Sequence, residues 1–129
     1  MVVDSSAIVA ILRDEPEAAT FVDLIAAADD PIISAATLAE ASIVMQSREG
    51  DGGVTDVDEL LANAGVRCVA VDDMQAYLAL EGFHRYGKGR SPAALNFGDC
   101  FAYALAKRFD RPLLFKGNDF RQTNVEAAL

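Results

Sequence analysis

Val2-Val3-Asp4-Ser5-Ser6-Ala7 compresses a strand, an acid and a helix start into six residues. The two β-branched valines favour an extended run. Ser5 or Ser6 offers an N-cap for a helix over residues 7–12. Asp4 falls at the junction, on the carboxyl end of the strand. The same alternation of short apolar runs with longer helical patterns continues along the chain. Strand-like runs lie at 31–34, at 67–71 (expected to be buried) and at 111–115. Helical patterns cover 17–28, 35–48, 56–63, 73–86 and 96–109. Gly50-Asp51-Gly52-Gly53 reads as a loop, Gly65 closes a helix, and residues 87–92 form a flexible connection. The tail around Val125 suggests a last short strand. Strands alternating with helices predict an α/β sandwich on a largely parallel sheet of four to five short strands. In such sheets the functional crevice lies beyond the carboxyl ends of the strands, which is where Asp4 stands.

The 129 residues suit a single domain spanning 1–129, and a composition 52% hydrophobic suits a packed core. No apolar run reaches the roughly 18 residues that cross a bilayer. The apolar start lacks a basic leader region and carries Asp4 within it, so a cytoplasmic protein without a membrane partner is expected. Cys68 and Cys100, without a CxxC or a nearby histidine, read as reduced core residues. His84 is the only histidine, which excludes a histidine-rich zinc site and argues against a Ser-His-Asp triad. His84, Met45 and Met74 read as ordinary surface or core positions.

The net charge of −9 is unevenly placed. Residues 1–66 hold 13 acids against two bases, whereas residues 67–129 hold nine bases against seven acids. An acidic total argues against a nucleic-acid partner, yet the basic second half leaves room for a local phosphate-binding rim. Arg85, Lys88, Arg90, Lys116 and Arg121 are its candidates.

Four carboxylates stand where an acid is out of place: Asp4, Glu40, Asp99 and Asp119. An acid in an apolar setting is unfavourable by several kcal/mol unless it is paired, hydrogen-bonded or bound to a cation. Each also has a structural reading. Asp4 suits an N-cap, although Ser5 and Ser6 could serve equally. Ser6 is placed to hold the Asp4 carboxylate. Glu40 has Ala36, Thr37, Ile43 and Val44 on its helix face, so that face should turn inward unless the head snorkels to water. Thr37, one turn earlier, is placed to orient it. Asn96-Phe97-Gly98-Asp99 looks like a capping box, with Gly98 an unhelpful helix residue. The helix dipole would keep a first-turn Asp99 ionised. Asp119, in Gly117-Asn118-Asp119, suits a tight turn. Gathered together, oxygen-only ligands imply Mg²⁺ or Mn²⁺ rather than zinc. That chemistry suits phosphodiester hydrolysis.

These residues carry a family resemblance over essentially the whole chain. Its carriers are Val2 to Ala7, Ala39-Glu40 in a helix after a short strand, Leu95-Asn96-Phe97-Gly98-Asp99-Cys100-Phe101-Ala102, and Leu113-Leu114-Phe115-Lys116-Gly117-Asn118-Asp119-Phe120. In this order and spacing the chain resembles the PIN-domain ribonucleases, within them the VapC toxins of toxin–antitoxin pairs. The resemblance implies a three-layer α/β/α sandwich and a Mg²⁺- or Mn²⁺-dependent endoribonuclease toxin that cleaves cellular RNA (tRNA, rRNA or mRNA). It implies Asp4 and Asp99 as main metal ligands and Glu40 as a further acid that holds metal or activates water. The fourth acid maps most naturally to Asp119, with Asn118 and Asn96 in support. Similar proteins often carry two adjacent acids where this chain has Asn118-Asp119, and many have an Asp where Asn124 stands. The family further implies a homodimer and a cognate VapB-type antitoxin whose C-terminal segment packs across the groove. Two alternatives differ in chemistry. One is a catalytically silent PIN-fold binding module. The other is a receiver-type phosphoacceptor domain, which lacks support because Asp4 is followed by Ser5-Ser6 and no middle strand ends in an isolated Asp.

Overall fold

The computed structural model describes residues 1–129. Four parallel strands form one sheet: β1 (Val2–Val3), β2 (Ile32–Ser34), β3 (Arg67–Val69) and β4 (Leu113–Leu114), in the spatial order β3-β2-β1-β4. Helices α1 (Ser5–Leu12) and α2 (Ala18–Ala27) link β1 to β2, and α3 (Ala35–Glu49) and α4 (Asp51–Ala64) link β2 to β3. Helices α5 (Asp73–Tyr86) and α6 (Phe97–Phe109) lead back to β4.

Period-two alternation divides the core between two layers. Val2, Ile32 and Leu113 sit with residues of α5 and α6, including Ala79, Tyr103 and Leu105. Val3, Ile33 and Leu114 face the other way, onto Ile8, Phe21, Met45 and Leu61 of α1 to α4. The result is the expected three-layer α/β/α sandwich. Because the last crossover covers the opposite face and lands beyond β1, the winding reverses between β1 and β4. A crevice opens beyond the carboxyl ends of the strands at such a reversal. Asp4 follows β1 and Lys116 lies just past β4, so both belong to that crevice. No helix is long and apolar enough to cross a membrane.

The structure corrects several local readings. The Gly50 to Gly53 stretch is not a loop. Only Gly50 turns, at φ 72°, and α4 then starts at Asp51. Gly53 lies against α3 so closely that a Cβ there would overlap the Met45 carbonyl oxygen, so its small size serves helix packing. The strand at 67–71 is shorter and exposed. It is an edge strand paired only with β2, which also leaves Cys68 exposed, whereas Cys100 is buried. The tail does add to the sheet, at Ala127 rather than Val125, through a parallel bridge to Leu113.

Candidate active site

Asp4 is both the last residue of the β1 ladder and the first cap of α1. Its backbone N–H donates to the Leu114 carbonyl at 2.9 Å. Its Oδ2 accepts from the Ser6 N–H at 3.0 Å and from the Ser6 hydroxyl at 2.6 Å. Asp4, rather than Ser5 or Ser6, is thus the N-cap. The cap uses only half of the carboxylate. The side chain is 2% exposed, and Oδ1 is buried without a hydrogen-bond partner. Burial pushes the Asp4 carboxyl above its ordinary range, the Ser6 hydrogen bonds oppose this, and Glu40 adds to the rise. Ser6 is braced in turn: its oxygen accepts from the Lys116 N–H at 2.9 Å, tying α1 to the end of β4.

Asp99 lies in the first turn of α6, inside the capping box expected for this sequence. Its Oδ2 accepts from the Asn96 N–H at 2.9 Å, and its own N–H donates to Asn96 Oδ1 at 2.8 Å. Burial is the main cause that lifts its carboxyl to about 6, and the charges of Asp4, Glu40 and Asp119 lift it further against the Asn96 N–H. All three other candidate acids therefore act on Asp99.

Glu40 projects from α3 toward the start of α6. Its Oε1 accepts from the Ser5 hydroxyl at 2.6 Å. Its carboxylate lies over Gly98: a Cβ there would overlap Oε2 and stand 2.5 Å from Cδ. Thr37 does not orient Glu40 as expected, because Thr37 is fully buried and its hydroxyl has no partner. One helical turn places the two residues near each other in sequence terms, but Thr37 turns into the core while Glu40 reaches the crevice. Ser5 takes the expected role of Thr37. Its only sequence signal was its place next to Asp4.

Asp119 is exposed and precedes a 3₁₀ turn at Phe120–Gln122, with no side-chain capping bond. Asn118 joins through its backbone alone, its carbonyl accepting from the Arg121 N–H at 3.1 Å. Asn124 stands apart, accepting from the Tyr103 hydroxyl at 3.0 Å.

The residues fit a hard divalent cation. The donors are carboxylate oxygens, and the buried unpartnered Oδ1 of Asp4 is an acceptor with no proton donor to satisfy it. No three acidic, cysteine or histidine side chains converge closely enough to enclose an ion by themselves. Water and substrate oxygens would complete the shell, as is usual for Mg²⁺.

Bases near the crevice are largely engaged. Lys116 Nζ pairs with Glu15 and lies 3.5 Å from Glu17. Arg121 donates to the Leu129 carbonyl at 2.6 Å and lies over the Phe115 ring. Arg85 lies 3.7 Å from Glu81 and over Tyr86.

With this geometry in place, the comparisons with known proteins agree on one class. The PIN domain family profile matches residues 1–126. Ribonuclease VapC of Mycolicibacterium smegmatis is 52% identical over 129 residues, covering 98% of each chain. Among solved structures, Mycobacterium tuberculosis VapC20, a sarcin-ricin loop cleaving toxin, superposes with a TM-score of 0.76. Its identity is 18%, over 96% of this chain and 95% of that one. VapBC2 from Rickettsia felis, bound to a promoter DNA fragment, superposes with a TM-score of 0.74 at 16% identity, over 98% and 95%. The chain belongs to the PIN-domain family, in its VapC ribonuclease branch.

Proposed function

We propose that the protein is a divalent-metal-dependent endoribonuclease and the toxin of a toxin–antitoxin pair, with Asp4, Glu40, Asp99 and Asp119 as its acidic site. The observation that carries this reading is the buried Asp4 carboxylate, with one oxygen capping α1 and the other unpartnered, facing the influence of Glu40 at the strand ends. Asp4 and Asp99 would hold Mg²⁺ or Mn²⁺, with Asp119 at the rim. When bound, such an ion supplies charge stabilisation for the phosphate oxygens and a more acidic water. Glu40, held by Ser5, takes the proton of the attacking water, a role worth roughly 10²–10⁴-fold in general base catalysis. Ser6 and Asn96 hold the Asp4 and Asp99 carboxylates in place. The capping bonds do this without consuming the second oxygen of either acid.

VapC20 is a toxin that cleaves the sarcin-ricin loop, which supports structured RNA as the substrate class here. Two uncovered apolar surfaces support protein partners, an antitoxin and a second copy of the chain. One is a groove of about 410 Å³ along α5 and α6, lined by Leu80, Phe83, Phe97 and Phe101. The other, about 440 Å³, runs between α1, α2 and α4 and is lined by Ile11, Val22, Ile25 and Leu60.

The test is incubation of purified protein with total RNA, with Mg²⁺ or Mn²⁺ and then with excess chelator. Cutting is expected only with metal, and Asp4→Asn and Asp99→Asn should lower it at least 100-fold while remaining folded. Metal-independent cutting, or unimpaired variants, would refute the reading. Ion binding without any cutting would leave the silent binding module in its place.

A further inference from the structure

We propose that Gly98 is a positioning residue for Glu40: the missing side chain at 98 is the seat in which the Glu40 carboxylate rests, beside Asp99. The inference deepens the ribonuclease reading and rests on it. The three atoms nearest to a Cβ placed at Gly98 all belong to the Glu40 carboxylate: Oε2, which it would overlap, Cδ at 2.5 Å and Oε1 at 2.9 Å. On its other side the same carboxylate is held by the Ser5 hydroxyl, 2.6 Å from Oε1. Glu40 is therefore pinned between the start of α1 and the first turn of α6.

Nothing else about position 98 asks for glycine. Its φ is not in the left-handed region, since the glycines with positive φ are Gly50, Gly65, Gly89 and Gly117. The end of the helix is already satisfied by the Asn96–Asp99 capping box. Glycine is a poorer helix former than alanine, so the fold by itself would favour alanine here. Function explains the choice. Any side chain at 98 would displace the carboxylate that acts beside Asp99.

The obstructed group is the far end of a flexible side chain rather than backbone. A methyl at 98 should thus move Glu40 and leave the fold intact, separating a positioning role from a structural one. The test uses Gly98→Ala, Glu40→Gln, their combination, and Gly98→Ala with Glu40→Asp. Gly98→Ala should melt at the wild-type temperature or up to about 4 °C above it. Its RNA cleavage in Mg²⁺ or Mn²⁺ should fall at least tenfold, in kcat more than KM. The combination with Glu40→Gln should be no worse than Glu40→Gln alone. Glu40→Asp, whose carboxylate retracts by one methylene, should restore several-fold activity to Gly98→Ala.

A second readout needs neither metal nor RNA. The ¹³C-carboxyl resonance of Glu40, assigned by its loss in Glu40→Gln, should shift in metal-free Gly98→Ala while that of Asp30 stays in place. An unmoved resonance, full activity, or a Gly98→Ala protein that melts lower or fails to fold each overturns the proposal. If the wild type cuts no RNA, the ribonuclease reading fails and the resonance alone decides the seat. If the wild type cuts and the resonance does not move, the seat alone fails.

Discussion

Asp99 shows what a half-buried acid among other carboxylates demands of its surroundings. Burial and three neighbouring carboxylates lift its carboxyl from 3.8 to about 6. The native state therefore holds this proton more tightly than the unfolded chain does. By linkage, stability is highest below the unfolded value and declines as pH rises from about 4 through about 6. In metal-free protein, the melting temperature of wild type should fall over that range relative to Asp99→Asn, which lacks the titration. Mn²⁺ should offset the loss at pH 7, because a bound cation relieves the repulsion. Parallel melting curves for the two proteins across pH 4–7, or no effect of Mn²⁺, would contradict this account. Asp30, far from the site, has the opposite sign. Hydrogen bonds from Arg67 and Arg111 hold it at about 2, so its contribution is present at neutral pH and lost in acid. At this scale the sequence showed which acids were anomalous. It could not show that Ser5 rather than Thr37 would hold Glu40, because Ser5 lies on another helix and meets Glu40 only when α1 and α3 pack together, while Thr37 turns into the core.

Among the elements, α6 was the most legible and α4 the least. Asn96 and Asp99 sit three residues apart, and a capping box is a local interaction that sequence spacing displays directly. Asn96→Ala should lower stability by about 1 kcal/mol, the usual effect of losing an N-cap. It should also weaken cleavage, because the Asn96 side chain accepts from the Asp99 N–H at 2.8 Å and so fixes the turn that carries the Asp99 carboxylate. Urea unfolding checks the first effect and a cleavage rate the second. A variant with wild-type stability would mean the box contributes nothing. The start of α4 was misread for a physical reason. Glycines at 50, 52 and 53 locally favour a loop, yet Gly53 is there because α4 crosses α3 against the Met45 backbone. Tertiary packing overrode propensity. The same holds for β3, whose β-branched content suggested burial but whose edge position leaves it exposed.

At the scale of the molecule, two cores separated by the thin sheet hold the crevice in shape. Leu114 is fully buried in the core formed with α1 to α4, and its carbonyl receives the Asp4 N–H. Leu114→Ala should lower unfolding free energy by about 2–5 kcal/mol, as for other buried leucines. Metal-dependent cleavage should persist at temperatures where the variant is still folded. Denaturant titration and a cleavage assay below the new midpoint test both parts. A loss under 1 kcal/mol would show that Leu114 is not closely packed in that core.

The sequence by itself determined the alternation of strands and helices and marked four anomalous acids in their motifs. These follow from local spacing: period two in strands, 3.6 in helices, and capping within one turn. Only the tertiary structure decided that α4 begins at Asp51, that β3 lies at an edge, that Asp4 keeps one oxygen buried and unpartnered, and that Gly98 lies under Glu40. Those depend on packing between elements, from Gly53 against Met45 to the Ser5–Glu40 and Ser6–Lys116 bonds, 35 and 110 positions apart in the chain. Spacing along the chain carries no record of such pairings, because they arise only when the layers close on one another.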